Sequence, residues 1–258
     1  MLFPALLKYW RGKRGLSQLD LALTAEISSR HVSFLETGRA KPSEDMVLRL
    51  GHTLELSLRE RNELLQAAGF AARFPEPALD ALPPAVDWAL ARMLAQQEPY
   101  PLMVLSAGHD IVRINGAGRR LLQTFVVEPE RLPGIPNMCD VVFDPQLARP
   151  FIANWVQLAR RMLSRLQFEA LRAPQRAAAD LVARVLRYPD IPGDWRQPDF
   201  AVDVASPLTV SLARDDRRLE FLTTVTMFSS PQLVTLEELR IESFFPLDDA
   251  TRRACEIW

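Results

Sequence analysis

Between residues 4 and 69 the apolar positions recur every three or four residues, broken by short polar punctuation, which is the pattern of several brief amphipathic helices. Pro4 suits a first helical turn, and Leu6, Leu7 and Trp10 share one face of a helix ending near Gly15. Ser17 with Asp20 reads as a capping box for a second helix that carries Leu19, Ala22 and Leu23 inward. Ser28 caps a third, with Val32 and Leu35 inward and Gly38 as its stop. Ser43, followed by Glu44 and Asp45, opens a fourth; Ser57 and Glu60 open a fifth that closes before Gly69. This spacing predicts a compact, all-α bundle of five helices.

The connection from the second helix to the third, about Thr24 to Ile27, is so short that the two must cross steeply. That is a helix-turn-helix, in which one helix lies across the DNA backbone and the next enters the major groove. On this reading Ser29, Arg30 and Phe34 project to the base edges. An arginine there bonds guanine O6 and N7 in a fork worth about 1–3 kcal/mol of discrimination, and a phenylalanine packs on a thymine methyl. Ser17, Gln18, Ser28, His31, Arg39 and Lys41 are placed to hold phosphates, which sets register without reading sequence.

Pro75, Pro77, Pro83 and Pro84 then stop the helices and stiffen the chain, predicting a domain over 1–74, a linker over 75–84 and a second domain over 85–258. Val86, Leu90 and Leu94 keep helical spacing; "PLMVLS" and "DIVRIN" read as two short strands joined by the turn "AGHD". "AGRRLLQTF" returns to helix. Phe151, Trp155, Leu158, Met162 and Leu166 form a long stripe, followed, after a break at Pro174, by "AAADLVARVL". Near the end the period becomes two, in Leu208, Val210, Leu212, then Phe221, Thr223, Val225, then Leu239, Ile241. Two early strands, a helical middle and three late strands predict an α+β, PAS-like domain on an antiparallel sheet. Arg240 and Glu242 alternate with Leu239 and Ile241, and are expected on a solvent-side or subunit-facing surface as an ion pair. Asp248 is expected to cap a final helix.

Composition narrows the function further. The 258 residues suffice for two cores, at 48% hydrophobic and 24% charged. No run of about eighteen apolar residues predicts a spanning helix, and no signal-peptide pattern opens the chain, so a cytoplasmic protein without membrane contact is expected. Cys139, Cys255, His31, His52 and His109 show no ligand-like spacing, so no metal is expected. There is no P-loop, G-x-S-x-G, H-E-x-x-H or G-x-G-x-x-G motif, and no enzyme is expected. Residues 1–75 hold eleven Lys/Arg against eight Asp/Glu, a modest positive excess within a chain of net charge −1.

"WRGKRGLSQLDLALTAEISSRHVSFLETGRAKPS" resembles the XRE, or lambda-repressor-like, helix-turn-helix family, except that Glu26 stands where glycine is common. The resemblance implies that Arg11 and Glu36 form a structural ion pair. "EPYPLMVLSAGHDIVRIN" and "LTTVTMFSSPQLVTLEELRIESFFPLDDATRR" resemble the ligand-binding domain of MmyB-like transcription regulators, departing at Ser229 and Leu233, where a glycine and an aspartate are usual. That resemblance implies a bacterial transcription factor and a small apolar, fatty-acid-like ligand. The expected partner is double-stranded DNA, bound by a homodimer at a pseudo-palindromic operator. The competing expectation is a PAS-like half that only dimerises or engages a protein. No cofactor is expected, and periodicity identifies no ligand-contacting residues.

Overall fold

The computed structural model describes residues 2–129, 137–172, 176–198, 208–229 and 231–257; the break expected at Pro174 lies outside them. Contacts divide the chain into two compact units, Met1–Ala81 with Phe228–Glu237, and Leu82–Met227 with Glu238–Trp258.

In the first unit, α1 (Leu2–Lys13), α2 (Gln18–Thr24), α3 (Ser29–Glu36), α4 (Glu44–Thr53) and α5 (Leu58–Ala68) form the bundle. The hydroxyls of Ser17, Ser28, Ser43 and Ser57 accept from the backbone N–H groups of Asp20, His31, Met46 and Glu60, and the Asp20 and Glu60 carboxylates return the bond in full capping boxes. Such caps contribute about 1 kcal/mol each. Phe3, Leu7 and Trp10 of α1 meet Leu21, Val32, Leu35, Leu50 and Leu64 in one core.

The second helix corrects the sequence reading. Leu19 and Leu23 are 57% and 69% exposed, whereas Leu21, Ala22 and Ala25 are buried. At about 100° per residue, Leu19 and Leu23 lie well around the helix from the face that Leu21, Ala22 and Ala25 define. A helix of only seven residues carries too few positions for periodicity to choose its face.

The turn between α2 and α3 places Glu26 at φ 54°, in the left-handed region. A non-glycine residue there costs of order 1–2 kcal/mol. Glu26→Gly is therefore expected to stabilise this unit by about 1 kcal/mol and raise its melting temperature by about 4–8 °C, read by thermal circular dichroism.

In the second unit, α6 (Pro84–Gln96) precedes β1 (Leu102–Leu105) and β2 (Ile111–Ile114), then α7 (Gly116–Thr124), α8 (Met138–Phe143), α9 (Trp155–Arg172) and α10 (Arg176–Val185). β3 (Leu208–Arg214) and β4 (Arg217–Thr226) follow. After α11 (Val234–Glu238) come β5 (Arg240–Pro246) and α12 (Asp249–Ile257), the latter capped by Asp248 accepting from Thr251 N–H at 2.6 Å. All neighbouring strands are antiparallel in the order β2-β1-β5-β4-β3, a PAS-like sheet with β5 central. Periodicity missed α8, six residues capped by Asn137. The stripe starting at Phe151 becomes helical only at Trp155, since Arg149–Phe151 forms a 3-10 turn.

α11 lies between two strands of the second unit in sequence but packs within the first. Val234 N–H donates to Pro75 O at 2.9 Å and the Thr235 hydroxyl to Pro77 O at 2.7 Å. The Pro-rich stretch is itself tied back, with the Asn62 side chain bonding Phe74 O and accepting from Arg73 and Phe74 N–H. Residues 75–81 thus pack as part of the helical unit.

Candidate nucleic-acid interface and ligand cavity

The outer side of α3 is built by its cap and its two inward anchors. Val32 and Leu35 are fully buried, which leaves Ser29 and Arg30 exposed and Phe34 and His31 half-buried. Arg30 and Phe34, one turn apart, stack on each other with the guanidinium 5.2 Å from the ring centroid. Ser17 and Ser28 are exposed at the starts of α2 and α3, and each hydroxyl keeps its own hydrogen while accepting the cap bond. Arg39 and Lys41 are exposed just beyond α3. Gln18 faces elsewhere: its amide nitrogen donates to Glu36 Oε2 at 2.7 Å, leaving one amide hydrogen for any outside partner.

Beneath that surface Arg11 and Glu36 form a two-pronged pair, Nε to Oε1 at 2.6 Å and Nη2 to Oε2 at 3.0 Å, while Arg11 Nη1 also reaches Leu16 O. Burial by itself would raise the Glu36 carboxyl, but the bonds from Arg11 and Gln18 and the Arg11 charge prevail and hold it below the ordinary glutamate value. Arg14, which sequence reasoning passed over, closes the end of α4 by donating to Leu54 O and Glu55 O.

The second unit contains a cavity of about 840 Å³ between the sheet and α7, α8 and α9. Its walls are mostly apolar, with Phe125, Val142, Leu158, Met162, Val210 and Phe244 contributing. One end is polar, lined by His109, Arg165, Glu169 and Glu242.

That end overturns the expectation for Arg240 and Glu242. Arg240 pairs with Glu169 of α9, Nη2 to Oε1 at 3.1 Å, and Glu242 opens into the cavity. Both faces of β5 are covered, so alternation of polar and apolar residues does not separate solvent from core there. Arg165 also donates to Glu169, at 3.1 Å. His109, buried at φ 63° in the β1–β2 turn, is fixed by Met138 N–H donating to its carbonyl at 2.8 Å. Its Nε2 lies 3.2 Å from Arg240 Nη1 and 3.8 Å from Glu169 Oε2. A guanidinium only donates, so the Arg240 contact is a hydrogen bond when Nε2 carries its lone pair, and the Glu169 contact an ion pair when the ring is protonated. His109 Nδ1 and Arg240 Nε are buried without a hydrogen-bond partner among the described residues.

Burial would raise Glu169, yet its contact with His109 and the charges of Arg240 and Arg165 lower it to about 2. For Glu242 burial wins, lifting the carboxyl above its ordinary range against the opposing charges of His109, Arg165 and Arg240. A raised folded pKa makes the native state bind its proton more tightly than the unfolded chain, so stability falls as pH rises through that range. Glu242→Gln is expected to melt above wild type at pH 7–8, with the gap closing below about pH 4, where the glutamate is protonated in both states.

Cys139 and Cys255 are free and buried; burial raises both thiols, Cys255 to about 11, so neither is a thiolate at neutral pH. Among the described residues no group of His, Cys, Asp or Glu could hold a metal ion, and no helix is long and apolar enough to cross a membrane.

A helix-turn-helix bundle joined to a PAS-like domain with an apolar cavity defines a DNA-binding transcriptional regulator that carries a ligand-binding domain. The helix-turn-helix family matches residues 7–61, and the family described as MmyB-like transcription regulator ligand binding domain matches residues 86–257. The chain belongs to the MmyB-like transcription regulators, and both matched families are regulator domains. No curated protein matches it. Among solved structures it is similar to that of an RNA-binding light-oxygen-voltage receptor, 11% identical, covering 98% of this chain and 60% of that one, with a TM-score of 0.29. The chain thus spans 60% of that structure's length, and so slight a likeness carries no argument.

Proposed function

We propose that the protein is a non-enzymatic, cytoplasmic, homodimeric regulator that reads a pseudo-palindromic operator and senses a single-chain, fatty-acid-like amphiphile held in the cavity. The observation that carries the sensing half is the cavity itself: an acyl chain fits its apolar walls, and a polar head fits the end lined by His109, Arg165, Glu169 and Glu242. An ordinary filled core would not leave about 840 Å³ beside an unpaired imidazole nitrogen.

The DNA half rests on the outward Ser29, Arg30 and Phe34 with Ser17, Ser28, His31, Arg39 and Lys41 around them, Gln18 offering only the amide hydrogen that its bond to Glu36 leaves over. Selection from random duplexes should return half-sites about one helical turn apart, since two symmetric modules present α3 to successive major grooves. Arg30→Ala is expected to relax one position by about 1–3 kcal/mol, whereas Lys41→Ala should weaken all sequences and lower the salt slope by about 0.9. Recovery of the same sequence-independent pool by wild type and Arg30→Ala would refute specific reading. A DNA affinity indifferent to palmitate and its shorter homologues would instead favour a PAS-like half that only dimerises or binds a protein.

A further inference from the structure

We propose that α11 is the coupling element of this regulator: β5 carries the state of the cavity's polar end into α11, which holds the N-terminus of α5 in the DNA-binding unit. The inference builds on the ligand reading above and concerns how that site is regulated.

Three features meet in one short segment. Glu237 Oε2 accepts from Leu58 N–H at 2.7 Å, so a residue 179 positions away satisfies an amide in the first turn of α5. A carboxylate at that place is favoured by the unpaired N–H groups and the helix dipole. α11 is further fixed by the Val234 and Thr235 bonds to Pro75 and Pro77, and its Val234 and Leu236 are buried. Beyond Glu237 only Glu238 and Leu239 precede Arg240, the first residue of β5. Three residue steps span at most about 10 Å, so that connection holds little slack.

Arg240 is where the cavity acts on the strand. It bridges Glu169 of α9 and His109 of the β1–β2 turn, yet its Nε and the His109 Nδ1 stay unsatisfied. A half-satisfied buried network is readily rearranged, because a new partner removes a desolvation penalty already being borne. A polar head reaching His109 or Glu169 competes with Arg240 for the groups it holds and shifts the start of β5. With Glu237 three residues upstream, the shift is felt at Leu58.

Hydrogen exchange on the full chain tests this without a ligand, in wild type, Arg240→Gln, Glu237→Gln and the double variant. Arg240→Gln should accelerate exchange in the first turn of α5 about fivefold, the scale of one lost hydrogen bond. Glu237→Gln should do likewise, and the double variant should add little to Glu237→Gln alone, the signature of two residues acting through one element. Glu169→Gln, which breaks the same pair from α9, serves if Arg240→Gln unfolds the sheet. Wild-type exchange at α5 in Arg240→Gln or Glu169→Gln, while β5 itself exchanges faster, overturns the proposal; so do effects that multiply in the double variant. Palmitate then separates the two readings. Protection of α9 and β5 with α5 unmoved overturns the coupling, whereas no protection of the cavity walls alongside an α5 response to Arg240→Gln overturns the ligand reading and upholds the coupling.

Discussion

Arg11→Ala is expected to destabilise the helix-turn-helix unit by about 3–5 kcal/mol, the usual consequence of leaving one partner of a buried ion pair alone. The Glu36 side chain is only 2% exposed, and once the guanidinium is gone it would keep the Gln18 amide as a hydrogen-bond donor. Loss of that order is comparable to the whole stability of a small domain, so DNA binding should vanish through unfolding. A urea titration followed by circular dichroism measures it, and retention of the wild-type midpoint would contradict it. Arg11→Met with Glu36→Leu, which removes both charges, should recover most of the loss. The sign with pH follows from the lowered Glu36 value. The pair's contribution is full above the ordinary glutamate range, about 4.3, and disappears as pH falls through the depressed folded value, a decline that the double variant should lack.

Filling the cavity from opposite walls should give the second large effect. Val142→Phe with Val210→Phe places two rings in the space between α8 and β3, and is expected to weaken palmitate binding at least about tenfold, since the ring volume competes directly with the chain. Stability should hold or rise by about 0.5–2 kcal/mol, as cavity filling does elsewhere. Calorimetric titration and a thermal melt on the same samples report the two effects. Unchanged affinity would place the amphiphile outside this cavity, and a fall in stability would show that its walls are already in contact.

The helix-turn-helix unit was legible because its signals are local. A serine hydroxyl caps an amide three residues away, and Val32 and Leu35 fall inward whatever else the chain does. Where the local signal was short, as over the seven residues of α2, the wrong leucines were placed inside. The three late strands of the second unit were legible from their period of two, and Leu208, Val210 and Leu212 do lie on β3, whereas β1 and β2 were read from short apolar runs about a turn. The polar end of the cavity was not, since His109, Glu169 and Arg240 come from a turn, a helix and a strand spread over 131 positions. The available hint was a charge inside an apolar stripe, Glu169 on α9 and Arg240 and Glu242 on β5, and alternation alone assigned the latter two to solvent.

By itself the sequence determined the two-part organisation, the order of the strands and of all helices but α8 and α11, and the outward side chains of α3, because caps, turns and periodicity act within a few residues. Only the tertiary structure decided that a cavity remains between sheet and helices, that Arg240 pairs with Glu169, and that α11 packs against the Pro-rich stretch and α5. Those outcomes depend on contacts between residues far apart in the chain, where packing volume and the desolvation of charge, and not local propensity, set the free energy.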